Sequence, residues 1–268
     1  MPSRSAIRQL YYTFRRTDLP RLYELGAIKA EMTAGEIVSM GSDYLYSKSV
    51  EELHRLMERE ETISDVLDTA YGFRGYGVYR SIRPLQRRSE LLALLKQIDP
   101  AKIESVLEIG TAWGGTLYSW CRYFQNLSNG VSVDLPGGAF GGGYPETRKQ
   151  LYEEFATDAE LSFVRANSHS KDTFETVREA LPNDGVDFVF IDGDHTYEGI
   201  KQDFEDYTSL LSTNGIVVLH DILGNPYDPD VQVDKFWEEI SCKYDTTEVV
   251  INPNRNWGGF GIVRGINQ

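Results

Sequence analysis

Two apolar runs in this 268-residue chain stop abruptly in groups that can move protons or hold cations. One is Phe188-Val-Phe-Ile-Asp-Gly-Asp-His-Thr-Tyr-Glu-Gly199, the other Ile216-Val-Val-Leu-His-Asp221. An Asp-Gly turn would account for Asp192-Gly193 alone, but not for two carboxylates, a histidine and a tyrosine crowding one strand end. Asp192, His220 and Asp221 offer hard oxygen and imidazole donors of the kind that hold a divalent cation. Magnesium suits them better than zinc, because carboxylates are hard ligands and no cysteine stands near; the histidine keeps manganese open. A hydrogen-bonded cluster without a cation is the competing arrangement. Asp194 and His195 are the candidate general bases, His195 because an imidazole titrates near neutral pH.

A second pair of features points to a nucleoside. Val106-Leu-Glu-Ile-Gly-Thr-Ala-Trp-Gly-Gly-Thr116 runs from a strand, through a glycine-containing turn, into a helix. Glycines such as Gly110 and Gly114 let the backbone approach a ligand closely, and a helix N-terminus offers free N–H groups. Asp134 ends the next strand-like run, Val131-Ser-Val-Asp134, where a carboxylate can accept hydrogen bonds from both ribose hydroxyls. Either feature alone fits a plain turn; their order and spacing together favour a nucleoside ligand.

Such residues work only if strand ends collect them. Candidate strands are Ser105 to Ile109, Gly130 to Asp134, Leu161 to Ala166, Val186 to Asp192 and Gly215 to His220. Helical patterns separate them, at Thr116 to Phe124, Pro145 to Ala156, Ser170 to Leu181 and Tyr197 to Leu211. This alternation predicts a doubly wound α/β fold with a mostly parallel sheet, whose ligands bind beyond the carboxyl ends of the strands. A helix near Val233 to Cys242 and two strands, Thr247 to Ile251 and Gly259 to Val263, predict a terminal antiparallel hairpin closing one sheet edge. Residues 1–100 read as a helical extension or lid and 101–268 as the catalytic domain. Ser49-Val-Glu-Glu52 and Thr62-Ile-Ser-Asp65 look like helix starts, and Ser89 to Ile98 is a short amphipathic helix. The stretch from Tyr76 to Gln86 should overhang the strand ends, with Tyr79 and Gln86 touching the acceptor.

The net charge is −14, and residues 101–268 carry the excess, 27 Asp and Glu against 12 Lys and Arg. An acidic half of this kind repels phosphate backbones, which argues against a nucleic-acid substrate. The stretch Arg4 to Lys29 is locally basic and reads as a solvated helix face. No apolar run approaches the roughly 18 to 20 residues of a membrane span, and Cys121 and Cys242 read as idle thiols. The expectation is a cytoplasmic protein acting on a small molecule, with the N-terminal helices as a route to self-association.

Glu108-Ile-Gly110, Asp134, the Ile191-Asp-Gly-Asp-His-Thr-Tyr-Glu-Gly199 string and His220-Asp221 resemble the class I methyltransferases. The nearest group is the small-molecule O-methyltransferases of catechol, macrocin and cephalosporin-hydroxylase-like type, and the likeness covers about residues 103 to 264. It implies methyl transfer from S-adenosylmethionine to an oxygen of a sugar or tailored metabolite. Glu108 and Gly110 would contact the methionine part, and Thr111, Trp113 and Gly114 would also border the cofactor. Asp134 would hold the ribose, Asn167 and Ser168 the adenine, and Asp192 would border the cofactor while ligating magnesium with Asp221. A nicotinamide-dependent oxidoreductase is the rival reading, weakened by the missing Gly-x-Gly-x-x-Gly and the terminal hairpin. A noncatalytic nucleoside-binding protein is the third.

Overall fold

The computed structural model describes residues 34–267 except 139, 141, 253 and 255, with side chains from residue 42 onward. The basic stretch Arg4 to Lys29 lies outside the described residues. Seven strands form one sheet in the order β3-β2-β1-β4-β5-β7-β6. They are β1 Ser105–Ile109, β2 Asn129–Val133, β3 Glu160–Val164, β4 Val186–Ile191, β5 Leu211–His220, β6 Asp245–Val249 and β7 Phe260–Arg264. Neighbours from β3 to β5 run parallel, while β7 is antiparallel to both β5 and β6. The doubly wound sheet with its terminal antiparallel hairpin is therefore present.

Side-chain alternation explains why the central strands are apolar throughout. Val106, Phe188, Phe190 and Val218 face one layer, with Leu91, Leu94, Trp120 and Phe124. Leu107, Ile109, Val189, Ile191, Val217 and Leu219 face the other, with Val177, Ile200, Phe204 and Phe236. A strand buried on both faces has no polar side to show, and reads as a continuous hydrophobic run.

Eight helices lie among the described residues: α1 Ala34–Met57, α2 Ile63–Gly72, α3 Arg88–Leu95, α4 Gly115–Tyr123, α5 Lys149–Glu153, α6 Lys171–Ala180, α7 Tyr197–Thr208 and α8 Val233–Ser241. Thr62 and Asp65 form the reciprocal capping box expected at the start of α2. Ser49 does not start a helix. It lies inside α1, where its hydroxyl donates to Leu45 O at 2.7 Å and accepts from Tyr76 N at 2.9 Å. A serine whose hydroxyl bonds the carbonyl four residues back no longer competes with the helix, so α1 runs through. The pattern Pro145 to Ala156 also departs from one helix: a 3-10 turn at Glu146–Arg148 precedes the five-residue α5. No helix among the described residues is long and apolar enough to cross a membrane.

The strand order reverses between β1 and β4, whose C-terminal ends bring Gly110 beside Asp192. Here Asp192 N donates to Ile109 O at 2.8 Å and Gly110 N to Val133 O at 2.9 Å, tying three strand ends together.

Candidate active site

A cavity of about 620 Å³ opens over these strand ends. That lies within the range of about 300 to 1,000 Å³ usual for small-molecule sites. The half around Gly110 and Asp134 is framed by backbone. Gly110 has φ +93°, and a Cβ there would meet Asp192 O at 2.1 Å, so only glycine fits. Two residues in the wall, Ala112 (φ 47°) and Asp221 (φ 61°), adopt the left-handed conformation without being glycine. Backbone strain of that kind is held only by surrounding structure and concentrates at functional sites.

Asp134 is 3% exposed, and its Oδ2 accepts from Ala112 N at the turn after β1. Burial pushes its carboxyl above the ordinary range, against the backbone N–H groups of Ala112, Gly143 and Thr111. Thr111 is itself held through a 2.6 Å bond to Ser132 Oγ. Asn167, Ser168 and His169 line the far end. Three side chains of α7 grip that loop: Gln202 donates to His169 O, Tyr207 to Ser168 O, and buried Asp203 faces His169 Nε2 at 3.3 Å. The Asp203 carboxylate raises His169 above the usual imidazole range, while burial raises Asp203 itself. The Asp203–His169 pair is not among the sequence-derived candidates. Its signal is an acid inside the apolar stripe Ile200, Phe204, Tyr207, a buried position in a helix of period 3.6.

The opposite half is a network of side chains. Asp192 Oδ1 lies 3.2 Å from His195 Nε2 and 3.1 Å from His220 Nδ1, and its Oδ2 accepts from Gln86 Nε2. Asp221 reaches both rings, at 3.6 Å to His195 Nδ1 and 3.5 Å to His220 Nδ1. Burial alone would push Asp192 up, but the two histidines hold it well below the ordinary carboxylate range. Burial opposes charging of His220, yet the carboxylates Asp192 and Asp221 carry it up to about 9. His195 is likewise raised against burial by its bond to Asp192. Phe140 stacks on the His195 ring, centroids 4.7 Å apart.

Asp192, His195 and Asp221 can each turn one donor atom to a common point, all within 4.8 Å of one another. The histidine completing this trio is His195; His220 sits beside it, against Phe260. Two carboxylate oxygens and an imidazole are a fitting donor set for a hard divalent cation. Asp194 turns differently: its Oδ1 accepts from Thr196 N and Oγ1 at the start of α7, and Oδ2 makes no hydrogen bond among the described residues.

Of the sequence-derived site residues, Gly110, Thr111, Trp113, Asp134, Asn167, Ser168, Asp192, Asp194, His195, His220, Asp221 and Gln86 line the cavity. Glu108 and Gly114 stand behind the wall. Glu108 is fully buried with Oε1 on Trp120 Nε1 at 2.9 Å and Oε2 unpartnered. Gly114, at φ +82°, makes room for the Tyr152 ring. Tyr79 departs from the expectation: it is 1% exposed and packs against Tyr46 of α1, away from the cavity.

Residues 107–222 match the model of a family described as a methyltransferase domain. Helices α1 to α3, α8 and the β6–β7 hairpin lie outside the methyltransferase match. An uncharacterised protein of Acanthamoeba polyphaga mimivirus is 27% identical over 162 residues, which are 54% of this chain and 71% of that protein. An uncharacterised protein of Sinorhizobium fredii is 27% identical over 141 residues, 51% of this chain but only 15% of that longer relative. Among solved structures, an O-methyltransferase of Streptomyces achromogenes involved in tomaymycin synthesis, in complex with SAM, is 20% identical. The alignment covers 84% of this chain and 99% of that one at a TM-score of 0.46. An O-methyltransferase of Bacillus cereus in complex with SAH is 18% identical, over 82% of this chain and 100% of that one, at 0.47.

Proposed function

We propose that the chain transfers a methyl group from S-adenosylmethionine to a hydroxyl oxygen of a small molecule. What carries this reading is the division of one cavity, lined in large part by the segment that matches a methyltransferase domain, into a glycine-framed half and an acid–histidine half. Asp134 would take the ribose hydroxyls, and Asn167 and Ser168 the adenine edge. The turn from Gly110 to Trp113 would enclose the methionine part.

The methyl of a sulfonium is already activated, so the protein must align the acceptor oxygen with it and remove the acceptor's proton. Asp192, His195 and Asp221 would hold a divalent cation, magnesium or manganese, which lowers the pKa of a hydroxyl it touches. With His195 so engaged, Asp194 is the remaining proton acceptor, through its free Oδ2. Leu85 and Trp257 at the mouth would cover an apolar part of the acceptor.

Turnover of S-adenosylmethionine against a panel of polyols and phenols tests the reaction. Activity should vanish in chelator and return with magnesium or manganese. Asp194→Asn should lose about 10²- to 10⁴-fold in kcat, the usual worth of a positioned base, while cofactor binding holds. Full activity in chelator would remove the cation; an unimpaired Asp194→Asn would leave His195 as the base.

A further inference from the structure

Gln86 reaches the catalytic end from outside the methyltransferase match, across 106 positions of sequence, to donate its amide to Asp192 Oδ2. Its backbone is fixed at several points. Tyr71 Oη donates to Gln86 O at 2.7 Å, and Arg148 donates to Ser81 O. Ile82 is fully buried, and its carbonyl with Pro84 crowds Gly115 so closely that a Cβ there would lie 2.2 Å from Ile82 O. Residues 81–86 are thus part of the cavity's frame, with Gln86 itself 7% exposed.

The bond divides the two oxygens of Asp192. Oδ2 is taken by the amide, and Oδ1 is left facing the histidines at 3.1 and 3.2 Å. A Gln amide is polar at both ends, and only its N–H end can face a carboxylate, so the orientation of the pair is determined. Carboxylates that ligate metals are commonly held by such an outer hydrogen bond, which fixes the direction of the free lone pairs.

We propose that Gln86 is the positioning residue of Asp192, which aims Oδ1 at the cation shared with His195 and Asp221. The proposal rests on the cation reading given above. It places a determinant of metal affinity in the extension before the domain. The opposite role is chemically distinct: an amide that competed with the cation for Asp192 would weaken binding.

The deciding measurement is Mn2+ affinity of the full chain, read from the resonance signal of free Mn2+ with S-adenosylhomocysteine at saturation. Gln86→Leu should bind Mn2+ about 10 to 100 times more weakly, the usual cost of losing an outer-sphere partner. Gln86→Asn keeps the amide but loses its reach, and should be impaired to a similar degree. Affinity for S-adenosylhomocysteine, measured by calorimetry, should stay unchanged in both and shows that the site is folded. Unchanged or tighter Mn2+ binding in the two variants overturns the positioning role and leaves the cation. No Mn2+ binding by the wild-type chain overturns both.

Discussion

The two halves of the cavity are built from different materials. At the half proposed for the nucleoside the decisive groups are backbone: the left-handed Gly110 and Ala112, and a strand-end carboxylate fixed by an N–H of the facing turn. At the half proposed for the acceptor they are side chains drawn from three segments, Gln86, Asp192 to His195, and His220 with Asp221, that satisfy one another's charge. A backbone site tolerates little change in shape but has few charges to balance. A side-chain network can be retuned one residue at a time, at the risk of leaving a buried charge unpaired.

The sharpest way to break this contrast is Gly110→Ala. A Cβ that meets a backbone oxygen at 2.1 Å, on a residue at φ +93°, forces β1 and β4 apart. Loss of cofactor binding is expected, with a fall in stability of more than about 2 kcal/mol; a denaturant melt and calorimetry read both. A variant that binds S-adenosylmethionine normally would show that the turn can yield.

Glu108, behind the wall, tests whether the nucleoside half carries a hidden charge cost. Burial pushes its carboxyl from an ordinary 4.5 to about 7. The folded chain therefore keeps a proton that the unfolded chain releases. Stability should be greatest below about pH 4.5 from this group, and should fall as pH rises towards 7, by up to about 3 kcal/mol at 1.36 kcal/mol per unit. Glu108→Gln should flatten that slope in melts from pH 5 to 8 and raise the midpoint at the upper end. An unchanged slope would place the titration elsewhere.

Asp134→Ala is the mildest of the three. It removes a hydrogen-bond acceptor that would serve two hydroxyls, and should weaken S-adenosylmethionine by about 1.5 to 3 kcal/mol. Equal affinity in calorimetry would mean that the backbone alone holds the nucleoside.

The same contrast explains what was legible in the sequence. Strands buried on both faces read as apolar runs, and a run that stops in acid announces its own C-terminal end, so β1, β4 and β5 and the residues after them could be placed. Gly110 and Asp134 were legible because a tight turn demands one residue type. Contacts between distant side chains leave no local trace. Nothing near Gln86 indicates Asp192, and nothing separates His195 from His220 as the third member of the trio. Tyr79 misled for a related reason: a stretch that must cross the strand ends suggests that its aromatics face the cavity, but here α1 closes over Tyr79. Ser49 misled because a capping pattern and a hydroxyl bonded inside a helix contain the same residues.

The edge of the methyltransferase match runs through the middle of the cavity. Gln86 and Leu85 precede residue 107, while Asn225, Asp228, Val231 and Trp257 follow residue 222. Those outer segments supply much of the wall where an acceptor would rest, and the inner segment supplies Gly110, Asp134, Asn167 and Asp192. An excised 107–222 fragment would consequently be an open half-cup, keeping Gly110, Asp134, Asn167 and Asp192 but losing most of the wall that the proposal gives to the acceptor. Exchanging residues 224–231 between relatives, with Gln86 and the strand-end groups left in place, should accordingly change which acceptors are taken, a modular route to new products.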